Sequence, residues 1–390
     1  MRFASAVTFE RDPDAAAIEL AHDVRGRLGE APVDVAFLFL TADLAPQAGA
    51  FVERLASSLR PRVLIGCTGE WVIGESQEIE TGPAISVVAS SMPGVSISSF
   101  VLTPEDLKSI ATDPAELYRA IDPKGEVRLM VMLADPYSVP MDTLLHAFNI
   151  SFEGVPMVGG MSSGAEGPGQ CALIIDGRVH RLGAVGVALS GELQADVIVS
   201  QGCRPVGPLL SVTDAEWNVI QRLEGKSPIL RIQQLLNELP ESDQYLVRNG
   251  LFVGRAIDLD KQILGRGDFL IRGIVGVDQE SGAIAIGDVV QPGEKIQFHL
   301  RDANTAVEDL EMMLSPHTLF GAPCGAIMFS CNGRGTRLYD HPSGDVSTVK
   351  SFFEDLPLAG FFCAGEIGPI GGKVFLHGHT VSLALIRPRS

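Results

Sequence analysis

The sequence predicts an α/β (α+β) protein of two domains, each a mixed β-sheet flanked by helices, and two observations carry that prediction. One module occurs three times in diverged form: a strand-like apolar run, a helix-like stretch, a second short apolar run and a glycine-flanked acidic turn. Hairpin patterns then follow the second and third turns, so strands joined through a helix are expected to run parallel and those after the turn antiparallel.

In the first copy, residues 35–40 read as a strand, Phe51, Val52, Leu55 and Leu59 line one helix face, residues 63–66 form the second strand, and GCTGEW (66–71) is the turn. The second places residues 129–134 before Met141, Leu144, Leu145, Phe148 and Phe152, then residues 156–160 and GGMSSGAEGP (159–168). In the third, residues 326–331 precede Val346, Val349, Phe352, Phe353 and Leu356, then residues 357–361 and AGFFCAGEIGP (359–369). Each helical stretch repeats apolar residues every three or four positions, the stripe that an amphipathic helix lays on a sheet. After the second turn, CALIIDGRVHRLGAVGVALSG reverses at Asp176 and Gly177, the two-residue turn a tight hairpin favours, and GGKVFLHGHTVSLALIRP reads likewise after the third. The first copy continues into a β-rich run at 84–89 with no equally clear hairpin.

Residues 208–315 differ in character. Ile229, Ile232, Leu235, Leu236 and Leu239 share a helix face over 228–239, and FVGRAID, DFLIRGIVGVD, GAIAIGDVV and KIQFHL read as four short strands, with a hairpin end at 279–282. Ala306, Val307, Leu310 and Leu314 return the chain to helix over 304–314. Clustered Gly and Pro at 203–208 set the expected boundary: residues 1–207 carry two copies, and residues 208–390 carry one copy with its own β-rich segment.

Composition narrows the function. A 390-residue chain that is 46% hydrophobic and 20% charged buries a full core rather than staying disordered. Its apolar runs fall short of the roughly 18–20 residues that span a bilayer, and the N-terminus lacks a signal peptide's layout, so the cytoplasm is the expected compartment. Six cysteines without a CxxC pair, several inside apolar runs, read as buried free thiols. A net charge of −18 argues against a nucleic-acid or anionic-membrane partner, leaving a small molecule or a protein.

The chain resembles the FIST family (F-box and intracellular signal transduction). FSCNGRG (329–335), PLAGFFCAGEIGP (357–369) and LHGHTVSLAL (376–385) resemble the FIST C-domain; IGCTGE (65–70) and PMVGGMSSG (156–164) resemble the FIST N-domain. The resemblance implies a sensory module for small ligands, with amino acids proposed, found alone or joined to signalling domains. Some members resemble haem-containing nitric-oxide sensors, and an animal F-box member captures substrate proteins through this region. Here 390 residues leave no room for a kinase, cyclase, receiver or F-box domain, so a separate signalling protein is the expected output partner.

A candidate site follows from the third copy. If its two strands are neighbours, their end turns meet. Arg334 then offers a planar fork to a carboxylate, Glu366 an anion to an ammonium, and Gly333, Gly335 and Gly365 backbone N–H groups, with Cys363 in the same turn. Asn332, Arg337 and Asp340 add polar contacts and Phe361 or Phe362 an apolar wall, a set that fits an amino-acid zwitterion. Alternatively, Arg334 and Glu366 pair with one another. Glu70 and Glu166 read as structural, since neither first strand ends in an Arg-bearing Gly turn. His377 and His379 alternate as on one strand but lack a third metal ligand, so no metal is assigned, and His341 is the better placed haem ligand. P-loop and HExxH motifs are missing, and no GxSxG nucleophile elbow is assigned. A Cys67 or Cys363 nucleophile would need its pKa lowered by Arg334 or His341, so no catalytic residue is assigned. The sequence reading is a cytoplasmic sensor of a small ligand. An interaction scaffold or substrate-capturing adaptor, and a haem-based nitric-oxide sensor, are its alternatives.

Overall fold

A computed structural model describes residues 1–248, 250–259, 261, 264–265 and 267–389. Its two compact units are Met1–Ser200 with Leu310–Ser390, and Gln201–Asp309. The expected boundary at 207/208 falls inside a 14-residue strand, and the compact units gather all three copies into the first unit.

The first copy runs β1 (Arg2–Thr8), α1 (Pro13–Leu28), β2 (Val35–Thr41), α2 (Ala48–Leu59), β3 (Val63–Gly69), β4 (Val72–Ile73), β5 (Glu78–Ile79) and β6 (Ile85–Ser91). The second is β7 (Val95–Leu102), α3 (Pro104–Thr112), α4 (Ala115–Ile121), β8 (Val127–Ala134), α5 (Met141–Ser151), β9 (Met157–Met161), β10 (Leu173–Ile175), β11 (Arg178–His180) and β12 (Ala184–Gly191). The third opens with β13 (Leu193–Gln201). Then comes the second unit: β14 (Cys203–Glu216), β15 (Val219–Leu223), α6 (Pro228–Glu238), α7 (Glu241–Arg248), β16 (Leu251–Ala256), β17 (Phe269–Val277), β18 (Ile284–Ile286) and β19 (Lys295–Arg301). The third copy closes with α8 (Ala303–Leu314), β20 (Gly325–Cys331), α9 (Gly344–Phe352), β21 (Leu358–Cys363), β22 (Gly365–Ile370), β23 (Lys373–His377) and β24 (Thr380–Pro388).

Local sequence explains the helix starts. Asp12 accepts from Ala15 N–H at 2.9 Å with Pro13 in the first turn of α1, and Thr103 with Asp106 forms a capping box on α3. The predicted faces are those buried: Phe51, Val52, Leu55 and Leu59 in α2, and Met141, Leu144, Leu145 and Phe148 in α5. α9 is shorter than predicted and stops at Phe352, leaving Phe353 and Leu356 to pack from the following turn.

Each copy builds one six-stranded sheet: β1-β6-β2-β3-β10-β11, β7-β12-β8-β9-β22-β23 and β13-β24-β20-β21-β4-β5. In each, the two strands joined by a helix are parallel, and the returning strand joins them antiparallel. The last two strands of each sheet come from another copy. β4 crosses to pair with β21, β10 with β3, and β22 with β9, so the copies exchange hairpins cyclically. The first copy does have a hairpin, β4 with β5, although each strand is two residues long. In the third copy the reversal lies at Gly371 and Gly372, between β22 and β23.

A repeated glycine marks the parallel pairs. Gly66, Gly159 and Gly360 lie in register with Leu38, Met132 and Met328, and a Cβ on any of the three would stand 1.8 Å from that partner's carbonyl oxygen. Only glycine permits so close a backbone approach. The same register shows that the acidic residues of the three turns are not equivalent, since Glu70 follows Gly66 by four positions and Glu366 follows Gly360 by six.

All three sheets contribute to one central core, which includes Phe37, Phe39, Leu133, Val158, Phe329 and Phe361. Phe39 stacks on Phe361 at 5.3 Å and meets Phe329 edge-on at 6.3 Å, geometries that aromatic quadrupoles favour. Helices cover the outer faces in three further clusters. The second unit is a closed barrel, β14-β15-β18-β17-β16-β19, around Val206, Ile220, Ile284, Phe298 and other apolar residues. Its four predicted strands and the 228–239 helix appear as β16 to β19 and α6.

Candidate functional site at the strand ends

Parallel strands that end side by side leave a crevice into which the next loops bring polar groups. Two such crevices in the first unit are built from like parts: a strand end of one copy, and the turn and hairpin donated by another.

At the third copy the crevice is filled. Arg334 is fully buried, and Asp345 in the first turn of α9 takes its Nε at 2.8 Å and its Nη2 at 2.6 Å. Tyr339 Oη accepts from Nη2 at 2.9 Å, and the His379 carbonyl accepts from Nη1 at 3.2 Å. Asp345 also accepts from Tyr339 at 2.7 Å and Ser330 at 3.0 Å. Burial alone would raise the Asp345 pKa, but the guanidinium and these hydrogen bonds hold it below the usual carboxylate range.

Around this pair the first copy's turn and hairpin place three glutamates. Glu70 grips Arg337 through both oxygens at 2.6 and 3.0 Å, while Arg337 lies over the Trp71 ring at 4.2 Å. Glu80 accepts from Thr336 N–H at 2.9 Å and from its hydroxyl at 2.6 Å. Buried Glu78 accepts from Val346 N–H at the start of α9 at 2.9 Å, and its own N–H donates to Ser343 Oγ at 3.0 Å. Burial, then the nearby Asp345 charge, pushes the Glu78 pKa up to about 8.

Both sequence readings of Arg334 with Glu366 are thereby corrected. Arg334 pairs instead with Asp345 of α9. Glu366 lies within β22, fully buried, and one of its oxygens accepts from Thr380 N–H at 3.2 Å. Burial raises its pKa well above the ordinary carboxylate value, which disfavours the anion that an ammonium would need. Phe361, Phe362 and Cys363 are buried as well, Phe361 in the central core and Phe362 edge-on to Trp71 at 5.2 Å. The Asn332 carbonyl accepts from Arg337 at 2.8 Å, a Cβ on Gly335 would collide with the Glu80 carboxylate, and Gly333 N–H faces Cys331 Sγ at 3.4 Å. Gly365 belongs to β22, and Asp340 is exposed. The predicted set is therefore spread over a buried ion pair, a strand, the central core and the exposed rim.

At the first copy the crevice is open. A cavity of about 480 Å³ lies between the helical turn after β2 and the second copy's glycine-rich turn, lined by Ala42, Ala45, Pro46, Gly164, Ala165, Gly169, Gln170 and Arg181. The turn is anchored from below. Ser163 Oγ accepts from Glu70 N–H at 2.8 Å and donates to the Phe362 carbonyl, while Thr68 Oγ1 meets Ser162 Oγ at 3.2 Å and accepts from Ala172 N–H at 3.0 Å. Arg181, just past β11, donates to the carbonyls of Ala45, Cys171 and Gln170 at 3.0, 3.1 and 3.3 Å. Sequence reading missed Arg181. The basic residues clustered after the Asp-Gly reversal were the only available signal.

Models of the FIST N domain and FIST C domain match residues 34–226 and 231–369. The chain belongs to the FIST family. FIST domains are sensory domains of signal transduction. An uncharacterised protein of Mycobacterium tuberculosis is 36% identical over 387 residues, 99% of both chains. Another, of Mycobacterium bovis, is 36% identical over 389 residues, 99% of this chain and 98% of its own. The crystal structure of a cyanuric acid hydrolase from A. caulinodans covers 100% of both chains at 11% identity, with a TM-score of 0.37, too low to argue from.

The remaining sequence candidates of this FIST protein sit apart from the open crevice. Cys67 and Cys363 are buried, and burial raises both thiols well above their ordinary range, the reverse of what a nucleophile needs. Cys331 is pushed up to about 12 for the same reason. All six cysteines are free thiols, five of them buried. His377 ends β23 with Nε2 at 2.9 Å from the Gly368 carbonyl, whereas His379 occupies a left-handed turn, so the two do not alternate along one strand. His341 is exposed and stacks on Tyr339 at 5.7 Å. Among the described residues no group of His, Cys, Asp and Glu is arranged to hold a metal ion, and no helix is long and apolar enough to cross a membrane.

Proposed function

We propose that this FIST protein is a cytoplasmic sensory module that takes a small ligand, an amino acid or related carboxylate, in the first-copy crevice and acts through a separate output partner. One observation carries the reading: of two strand ends built alike, one is filled with ion pairs and the other keeps a cavity of about 480 Å³. That volume falls within the few hundred to about 1,000 Å³ usual for small-molecule sites. Signalling through a partner accords with the family's sensory role.

A thermal-shift screen of the full chain against amino acids and small carboxylates tests it. A ligand at one hundred times its Kd adds about 2.7 kcal/mol of stability, and Ala165→Phe, which fills the crevice, abolishes the shift. A shift that survives Ala165→Phe sinks this location. No shift with any compound turns the reading to an interaction scaffold.

A further inference from the structure

We infer that the first-copy crevice selects a carboxylate that carries no ammonium group, held side-on by Arg181; the inference rests on the crevice being the ligand site. The argument begins with the donors of one side chain. A guanidinium has five N–H groups. Both on Arg181 Nη1 are committed, to the carbonyls of Gln170 and Cys171, and one on Nη2 is committed to the carbonyl of Ala45. The Nε–H and the second Nη2–H have no acceptor among the described residues. These two donors form one edge of the fork, spaced for the two oxygens of a carboxylate. Three carbonyl bonds already fix the plane of the group, so little rotamer freedom remains to be lost on binding.

Charge points the same way. Every acceptor of Arg181 is a neutral carbonyl, and no carboxylate forms an ion pair with it among the described residues. Arg334 and Arg337 differ in that each is met by an acid, Asp345 and Glu70. The residues lining the cavity supply one cation and no anion. An anion entering it gains a charge-assisted pair, whereas an ammonium meets an arginine and no counter-charge. The rest of the lining is Ala42, Ala45, Pro46, Gly164, Ala165 and Gly169, with the Gln170 amide, which suits a short apolar or weakly polar body. This departs from a zwitterion site, where anion and cation receptors must both be present.

Matched pairs of probes test the class: propionate against alanine and succinate against aspartate, with inorganic phosphate alongside, measured by calorimetry on the full chain. The expected result is that each simple carboxylate binds at least about tenfold more tightly than its amino counterpart, and that Arg181→Gln weakens the carboxylates by about tenfold or more. Because Arg181 also holds three carbonyls, Arg181→Lys, which keeps the charge but not the bidentate edge, is measured in parallel and is expected to bind more weakly than the parent chain. Amino acids binding as well as their counterparts, with binding lost in Ala165→Phe, overturn the selectivity and leave the crevice in place. Phosphate outcompeting succinate also overturns it. Binding of any probe that persists in Ala165→Phe, or no binding at all, removes the crevice and the inference together.

Discussion

The filled crevice at the third copy and the open one at the first share a scaffold: parallel strands ending together, a short helical turn, and a segment donated by another copy. They differ in the charge of what is donated. The first copy brings Glu70, Glu78 and Glu80 to the turn bearing Arg334 and Arg337, and the space closes in ion pairs and caps. The second copy brings Arg181 to a turn that offers only carbonyls, and the space stays open. Like parts thus enclose a filled space at one pair of strand ends and an open one at the other, and the two differ in the signs of a few side chains.

Breaking the filled side at its centre has the largest expected effect. Asp345→Ala leaves Arg334 as a fully buried, unpaired cation and is expected to cost about 3–5 kcal/mol in urea denaturation. Replacing the pair together, Arg334→Met with Asp345→Leu, removes both charges and is expected to cost far less than the single change. A loss for Asp345→Ala below about 1 kcal/mol would mean that the ion pair does not lock this crevice.

Next in size is a pH effect from Glu78. Its folded pKa, about 8, lies above the ordinary carboxylate value, so between the two the folded chain holds a proton that the unfolded chain has released. Stability contributed this way is complete at low pH and is lost as pH rises toward 8, by up to about 1.4 kcal/mol per unit. Glu366, also raised, acts in the same direction, whereas Asp345, held low, stabilises above its unfolded pKa and loses its contribution only in acid. Glu78→Gln keeps a carbonyl oxygen for Val346 N–H and is expected to flatten the decline in Tm between pH 6 and 8. Parallel curves for variant and parent would show that Glu78 does not titrate across that range.

The contrast between the crevices was only partly legible in the sequence. Helices and strands were, because Phe51, Val52, Leu55 and Leu59 or Met141, Leu144, Leu145 and Phe148 recur with the period of the structure they form. The exchange of hairpins was not, because the pairing of Val72 with Phe361 joins residues far apart in sequence through strands of two residues, too short for any alternation. Arg334 sits among glycines and so read as a turn residue offering its fork to a ligand or to Glu366, yet Asp345, 11 residues on, reaches back to pair with it. Glu366 read as a turn because glycines precede and follow it, and it is in fact a strand residue whose neighbours are Gly160 and His377. Arg181 carries no motif. Its importance rests on being met, among the described residues, by carbonyls and by no carboxylate, which a sequence does not display.

The smallest expected effect sharpens the comparison most. Glu70 and Arg337 are the partly exposed rim of the filled crevice, with side chains 26% and 47% accessible, so Glu70→Gln is expected to cost only about 0–1 kcal/mol. If charge alone keeps the rim shut, the released Arg337 guanidinium should then resemble Arg181: held by a carbonyl, that of Asn332, and open to an anion. Titrating Glu70→Gln with succinate, and following the fluorescence of Trp71 beneath Arg337, checks this. A new carboxylate-dependent signal absent from the parent chain would establish that donated charge, rather than backbone shape, separates the two crevices. A silent variant with unchanged stability would assign the closure to Asp345, Glu78 and Glu80, deeper in the same network.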